Sequence, residues 1–474
     1  MMGWTLGDVL PWQRTREGSA RRRSRQQAPA RIMVPRVVFL VTAFALLMFG
    51  MLMIYSSSSI VGLTTRSYGH DPAYFLVRQA GFAALGVILA VVLACIDYHR
   101  WDGNLLKVVW GLTVALLVVV YTPLAGRDAY GATRWIAIGP FSLQPSEFAK
   151  IVMLLVGARI AERFFCEGSL DRNEAIKLVA GGIMAPLALV LWQPDKGTTG
   201  VVVLTLLVMC YLAGVPGYQI GGLGLAIGVI AIAYSLKDDY SRQRILTMFN
   251  PFKDEYGAGY QLTQGFYAFG SGGLTGLGLG MSRQKYNYLP MAHNDFIFAI
   301  VGEELGLVGA VGMLAAFAVL LWSGLKIAQN APDIAGTLIA AGCTSLIVIQ
   351  LLLNVSGVLG VFPLTGKPVP FVSYGGSSVM SSLMLVGLVS SVSLRSTLPE
   401  TSYEVRRRQL RLSDEEARWD EGDAPSDVSR TPRALRPGWS VIEGGRTSSS
   451  APLAGYRRID LGPNASERLR DRRP

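Results

Sequence analysis

Runs of about 20 apolar residues recur along most of this chain, and they limit its fold more than any other feature. At 1.5 Å per residue, a helix of that length crosses a hydrocarbon core roughly 30 Å thick. Such a core offers the backbone no water to bond, so the runs must be helices. The sequence predicts ten, near residues 36–56, 74–96, 105–124, 143–163, 176–193, 198–215, 217–236, 295–323, 334–358 and 374–395.

The composition agrees with a polytopic membrane protein, because 51% of the 474 residues are hydrophobic and only 16% are charged. No cleavable signal peptide is expected, since the first apolar run starts after 35 residues and is too long for an h-region. The four cysteines lie far apart without CxxC spacing, which predicts neither a zinc site nor a disulfide framework.

An arginine-rich segment precedes the first predicted helix, with eight Arg and two acidic residues in 1–36. Such a segment usually marks the cytoplasmic side, and nothing beside it suggests a nucleic-acid-binding fold. Ten helices then place both termini inside and make 237–294 a long extracytoplasmic loop between spans 7 and 8. We therefore expect an all-α polytopic membrane protein. It has a basic cytoplasmic tail (1–35), a transmembrane domain (36–395) and a disordered cytoplasmic tail (396–474).

Polar residues gather in the predicted outside loops and at the outer helix ends, which suggests a site at the outer membrane face. Arg134, followed by Trp135, either anchors the chain at the interface or grips a phosphate through its forked guanidinium. Glu147 and Lys150 lie three residues apart on one helix face. They form either a structural ion pair between helices or part of a functional site.

Two further polar segments lie at predicted helix starts. In the turn between the fifth and sixth spans, Asp195 either caps the next helix or joins Lys196 in a site. Before the last span, Ser373-Tyr374-Gly375 leads into a helix start whose N–H groups suit an anion, although its small residues also suit close helix packing.

The long loop ends at Asp295, where the eighth predicted span begins. This carboxylate is either a general base or the N-cap of the helix, and the sequence leaves both open. Glu303 and Glu304 lie deeper in the same span and need partners or a polar cavity, as on the ion path of a transporter. The glycine-rich stretch 270–280 serves either close approach to a ligand or flexibility.

These motifs occur together, in one order, in a known family. The chain resembles the SEDS family (shape, elongation, division and sporulation) of FtsW, RodA and SpoVE type over residues 36–395. The matching motifs are Arg134-Trp-Ile with Gln144-Pro-Ser-Glu-Phe-Ala-Lys150, Gln193-Pro-Asp-Lys-Gly-Thr198, His293-Asn-Asp-Phe-Ile-Phe298 with Gly302-Glu-Glu-Leu-Gly306, and Pro370-Phe-Val-Ser-Tyr-Gly-Gly-Ser377. Many members have Thr or Ser in place of Asn294 and an apolar residue in place of Lys196.

The resemblance implies a peptidoglycan glycosyltransferase that polymerises lipid II into a glycan strand at the outer face of a bacterial cytoplasmic membrane. It implies a class B penicillin-binding transpeptidase as partner. The long tails favour an FtsW-like enzyme of septal wall synthesis, working with divisome proteins and without nucleic acid. The family's key acid maps to Asp295. The expected substrate-binding residues are Arg134, Glu147, Lys150, Lys196, Ser373, Tyr374 and Gly375.

In the expected mechanism, Asp295 deprotonates the attacking sugar hydroxyl while cationic groups steady the departing pyrophosphate. No resident metal site is expected, and a divalent cation, Mg²⁺ or Mn²⁺, is the one candidate cofactor. Three alternatives remain: a lipid II flippase, a RodA-like elongation polymerase, and a division scaffold that works through its tails.

Overall fold

The computed structural model describes residues 30–122, 126–129, 132–138 and 141–396. The predicted tails, 1–35 and 396–474, lie outside the described residues except where they adjoin the first and last helices, so their disorder stays a prediction. The described chain is mostly helical, which confirms the coarse fold class.

Apolar helices lie at each of the ten predicted positions. They are α1 (Ala30–Thr64), α2 (Tyr74–Cys95), α3 (Asn104–Val119), α4 (Pro145–Ala161), α5 (Arg172–Val179) continuing through a π-helical turn into α6 (Ala185–Trp192), α7 (Lys196–Leu212), α8 (Gly217–Lys237), α11 (Ile297–Gln329), α12 (Ile334–Val358) and α13 (Gly376–Arg395). Within the described chain, seven helices are long and apolar enough to cross a membrane, whereas α3 and α7 are shorter apolar helices. The count of ten spans therefore remains a prediction.

A small antiparallel sheet between α3 and α4 departs from the all-α prediction. Its strands β1 (Gly126–Ala129), β2 (Ala132–Ile138) and β3 (Phe141–Leu143) pair in that order. The physical reason is local, because β2 contains β-branched and aromatic residues and is followed by Gly139-Pro140. The sheet ends at the start of α4, where Pro145 occupies the first helical turn.

The predicted loop 237–294 contains two helices, α9 (Asp239–Phe249) and α10 (Tyr260–Gly272), followed by the glycine-rich stretch. That stretch packs against a break in α11 at Gly306, where φ is 67°. The Leu277 N–H donates to the Glu303 carbonyl at 3.0 Å, and the Leu307 N–H donates to the Gly273 carbonyl at 2.9 Å. Gly276 in particular serves close backbone packing, because a Cβ there would overlap the Glu304 carbonyl oxygen.

The core lies around α12 and α13, which are the most enclosed of the candidate spans, and α11, α1 and α2 contribute to it. At the other extreme, α8 has no buried residue. Polar side chains on α12 and α13 thus lie in the protein interior, where each needs a partner.

Candidate functional site

Asp295 lies in the turn immediately before α11 and is partly buried. The helix begins at Ile297 with Phe296 in the capping position, so the carboxylate does not cap it. Among the described residues, no group donates a hydrogen bond to this carboxylate. Burial raises the pKa of Asp295 above its ordinary value, while the positive charges of Arg244 and Lys367 oppose that rise. A carboxylate with open acceptor positions and a raised pKa suits a general base.

The loop 363–375 packs against Asp295. On α12, the Asn354 side-chain amide donates to the Asp295 carbonyl at 2.8 Å and to the Lys367 carbonyl at 2.7 Å. Gly366 has a φ of 65°, and a Cβ at this position would lie 3.4 Å from Asp295 Oδ2. Glycine therefore suits both the turn and the close approach of the loop to the carboxylate.

Ser373, Tyr374 and Gly375 fix the end of this loop. The Ser373 hydroxyl accepts a hydrogen bond from a backbone N–H four residues earlier, at 2.8 Å. The Tyr374 N–H donates to the His293 carbonyl at 2.9 Å, and the Gly375 N–H donates to Gln79 Oε1 at 3.1 Å. The N–H groups of Tyr374 and Gly375 thus already bond protein acceptors and are not available to an anion.

Glu147 and Lys150 form a salt bridge of 2.6 Å, and their side chains are only 2% and 1% exposed. Lys150 Nζ also donates to Gln350 on α12 at 2.7 Å, and the Ser381 hydroxyl on α13 donates to Glu147 at 2.9 Å. The pair therefore links three helices, and its near-complete burial agrees with the structural alternative that the sequence left open.

Asp195 occupies the N-cap of α7, where its carboxylate accepts a hydrogen bond from the Thr198 N–H at 3.2 Å. It also accepts from the Gln144 amide at 2.9 Å and the Ser146 hydroxyl at 2.8 Å. Lys367 Nζ forms a salt bridge to it at 3.0 Å. Asp195 is thus both a helix cap and the junction of α4, α7 and the loop 363–375.

Lys367 ties these two groups together, because its ammonium also lies 3.7 Å from Glu147 Oε1. Burial alone would raise the pKa of Asp195, but the charges of Lys367 and Arg134, with several hydrogen bonds, lower it well below its ordinary range. We call Glu147, Lys150, Asp195 and Lys367 the buried charge cluster. Its two carboxylates balance its two ammonium groups, which offsets the cost of burying them.

The two remaining predicted cations differ in position. Arg134 donates from Nε to the Gln193 carbonyl at 2.9 Å and from Nη2 to the Pro194 carbonyl at 2.6 Å, so it lies beside the turn that carries Asp195. Lys196 instead forms a salt bridge of 2.8 Å to Asp238, at the junction of α8 and α9. The structure therefore brings Arg134 to the cluster and leaves Lys196 outside it.

Lys367, Gln350 and Asn354 were not among the site residues predicted from sequence. Gln350 and Asn354 lie four residues apart in a mostly apolar helix, so they share one face. Amides in a membrane helix usually face a polar interior, and that signal could have identified both. Nothing in the sequence indicated the partners of Lys367.

Glu303 and Glu304 are fully buried, and both have partners. Glu303 accepts from the Ser282 hydroxyl and from the Arg283 N–H, the latter at 2.9 Å. Glu304 accepts from the Ser56 hydroxyl at 2.7 Å and lies 3.5 Å from Lys285 Nζ. These contacts hold the segment after the glycine-rich stretch against α11.

Comparison with known proteins identifies the family of this chain. The family model described as "Cell cycle protein", which covers FtsW, RodA and SpoVE, matches residues 36–398. The chain belongs to this family. The sequence resemblance is thereby confirmed.

Curated relatives and solved structures extend the match over most of the chain. Stage V sporulation protein E of Bacillus subtilis is 39% identical over 362 residues, covering 76% of this chain and 97% of its own. A probable peptidoglycan glycosyltransferase FtsW of Geobacter metallireducens is 38% identical over 370 residues, covering 76% and 94%. A peptidoglycan synthase complex that coordinates polymerization and crosslinking aligns with a TM-score of 0.60 at 28% identity, covering 75% and 96%. Thermus thermophilus RodA aligns with a TM-score of 0.55 at 26% identity, covering 76% of this chain and 97% of its own.

Proposed function

We propose that this chain is a peptidoglycan glycosyltransferase that polymerises lipid II at the outer face of the cytoplasmic membrane. The observation that carries the proposal is the Asp295 carboxylate. It is partly buried, accepts no hydrogen bond from the described residues, and lies against the loop that carries Lys367. The name of the Geobacter relative supports the same reaction.

In the proposed reaction, the Asp295 carboxylate accepts the proton of the attacking sugar hydroxyl. The hydroxyl oxygen bonds to the anomeric carbon of the second sugar from the face opposite the pyrophosphate. The bond to the pyrophosphate oxygen breaks, the lipid pyrophosphate leaves with the electron pair, and the anomeric configuration inverts. General base catalysis of this kind typically contributes about 10²–10⁴-fold to the rate.

Positive groups stabilise the departing pyrophosphate. Arg134 uses two of its donors on carbonyl groups, and a guanidinium has five, so the others are suited to phosphate oxygens. The burial of Lys150 supports a positioning role through Glu147. Lys196 would contact the substrate only after leaving Asp238.

A divalent cation fits this site in one way only. Mg²⁺ is commonly held by one or two carboxylates together with substrate phosphates. Asp195 is already saturated by protein donors, whereas Asp295 has open positions, and no cluster of three metal-binding side chains occurs among the described residues. Asp295 would therefore hold Mg²⁺ or Mn²⁺ jointly with the pyrophosphate, where the cation would neutralise the developing negative charge.

The finer predictions of topology and role belong to this proposal. We take the ten predicted helices as spans, with both termini in the cytoplasm and residues 237–294 outside. We also propose a septal role with divisome proteins and a class B penicillin-binding transpeptidase, which the fold of the peptidoglycan synthase complex supports. A fluorescent fusion at the septum supports this role, whereas one along the lateral wall indicates the RodA-like alternative.

Proteoliposomes containing fluorescent lipid II separate polymerisation from the flippase alternative. The full chain, supplied with its transpeptidase partner, should produce glycan polymer that a muramidase digests. A membrane-impermeant quencher reports translocation in the same vesicles. Translocation without polymer would overturn the proposal, and polymer from a chain lacking 1–29 and 400–474 would exclude a scaffold that works through its tails.

A further inference from the structure

Lys367 is the one member of the buried charge cluster that lies neither in a helix nor at a helix cap. Its side chain is 5% exposed and reaches both carboxylates of the cluster, while its backbone carbonyl shares the Asn354 amide with the carbonyl of Asp295. We propose that Lys367 is a positioning residue for glycosyl transfer, whose salt bridge to Asp195 holds the loop 363–375 against Asp295. This inference rests on the proposed function, because it assigns Asp295 as the base.

The start of α7 is shaped to admit this side chain. A Cβ at Gly197 would lie 2.8 Å from Lys367 Cγ and 3.0 Å from the Thr365 carbonyl oxygen. A Cβ contact of 2.8 Å is too short, so the Lys367 side chain would have to move to admit one. Glycine at 197 therefore lets the loop lie directly on the turn that carries Asp195.

The other side of the loop is attached to Asp295. The Asn354 amide bonds the carbonyls of Asp295 and Lys367 together, so the two backbones keep a fixed separation. At Gly366, the residue before Lys367, the loop passes so close to Asp295 that a Cβ would lie 3.4 Å from its carboxylate. A shift of Lys367 would therefore move the loop 363–375, against which the Asp295 carboxylate packs.

The salt bridge also explains why the loop stays in place. Asp195 accepts hydrogen bonds from α4 and α7, which fixes its carboxylate independently of the loop. Lys367 brings the loop to that fixed point through a charge-assisted contact of 3.0 Å. Charge-assisted bonds of this kind are about twice as strong as neutral ones.

The test compares lipid II polymerisation by Lys367→Met, Asp195→Asn, the double variant, and Asp295→Asn. Lys326→Met is the matched control, because Lys326 lies at the far end of α11 and, within the described part of the chain, bonds only Gln329. We expect Lys367→Met to lower kcat by roughly 10- to 100-fold with little change in KM, as misplacement of a catalytic group does. The acid limb of its pH profile should move to higher pH, because Asp295 loses a nearby positive charge.

The double variant distinguishes positioning from charge balance. Lys367→Met leaves Asp195 without its counterion and should lower the unfolding temperature. Adding Asp195→Asn should restore that temperature without restoring kcat. Recovery of the parent rate by the double variant would overturn the positioning role.

Asp295→Asn separates failure of this inference from failure of the function. If Asp295→Asn is inactive while folded Lys367→Met polymerises at the parent rate with an unshifted pH profile, only the role of Lys367 is wrong. If Asp295→Asn itself polymerises at the parent rate, Asp295 is not the base and the role of Lys367 fails with it. If the parent chain makes no polymer, the proposed function fails.

Discussion

The buried salt bridge between Glu147 and Lys150 allows a quantitative stability prediction. Removing one partner of such a pair costs about 3–5 kcal/mol, because the other charge stays buried without compensation. In Lys150→Met, Glu147 would keep the Ser381 hydrogen bond and Lys367 at 3.7 Å. We therefore expect the lower end of that range, about 3 kcal/mol.

Thermal unfolding in detergent measures this loss through a thiol-reactive dye. Cys343 is fully buried on α12, the helix whose Gln350 binds Lys150, so its labelling reports opening of this part of the core. In a background where Cys343 is the only cysteine, Lys150→Met should unfold several degrees below the parent. The double variant Glu147→Gln/Lys150→Met should recover most of that difference, because it leaves no unpaired charge.

Lys177→Met is the control, since Lys177 is exposed on α5 and should leave the unfolding temperature unchanged. A Lys150→Met protein as stable as the parent would refute the burial argument. A double variant no more stable than the single one would show that hydrogen bonds, and not charge balance, hold the three helices together.

Three other variants test separate parts of the structure by thermal unfolding. Gly306→Ala should lower the unfolding temperature, because φ is 67° and the added Cβ would overlap backbone of the glycine-rich stretch, whereas Gly312→Ala meets no atom within 4 Å and should not. Asp295→Asn should unfold at a higher temperature than the parent near neutral pH, with the difference shrinking in acid. The raised pKa means that ionisation of Asp295 costs stability as pH rises. His99→Gln should be less stable than the parent below pH 6.5 and equally stable in alkali, because hydrogen bonding to Asp333 is the main cause that raises the pKa of His99.

The positions of the helices followed from the sequence because lipid imposes one rule on every span. A run of about 20 apolar residues must satisfy its own backbone, so the run itself predicts the helix. The pairing of Glu147 with Lys150 followed for a similar reason, since a spacing of three residues places both on one helix face.

Contacts between distant segments could not be predicted in this way. Lys367 meets Asp195 across 172 positions of the chain, and no periodicity encodes that distance. The break at Gly306 likewise depends on the glycine-rich stretch that packs against it. Lys196 lay beside Asp195 in sequence, yet its side chain pairs with Asp238, because neighbouring residues at a helix start point in different directions.

The central claim is that the Asp295 carboxylate takes the proton of the attacking sugar hydroxyl, and parallel measurement of lipid II binding and polymerisation by Asp295→Asn tests it most directly. Asp171→Asn, which changes an exposed carboxylate before α5, is the matched control. We predict that Asp295→Asn binds lipid II as the parent does when no divalent cation is added, while its polymerisation rate falls by about 10²–10⁴-fold. Polymerisation at the parent rate by a folded Asp295→Asn protein would contradict the mechanism.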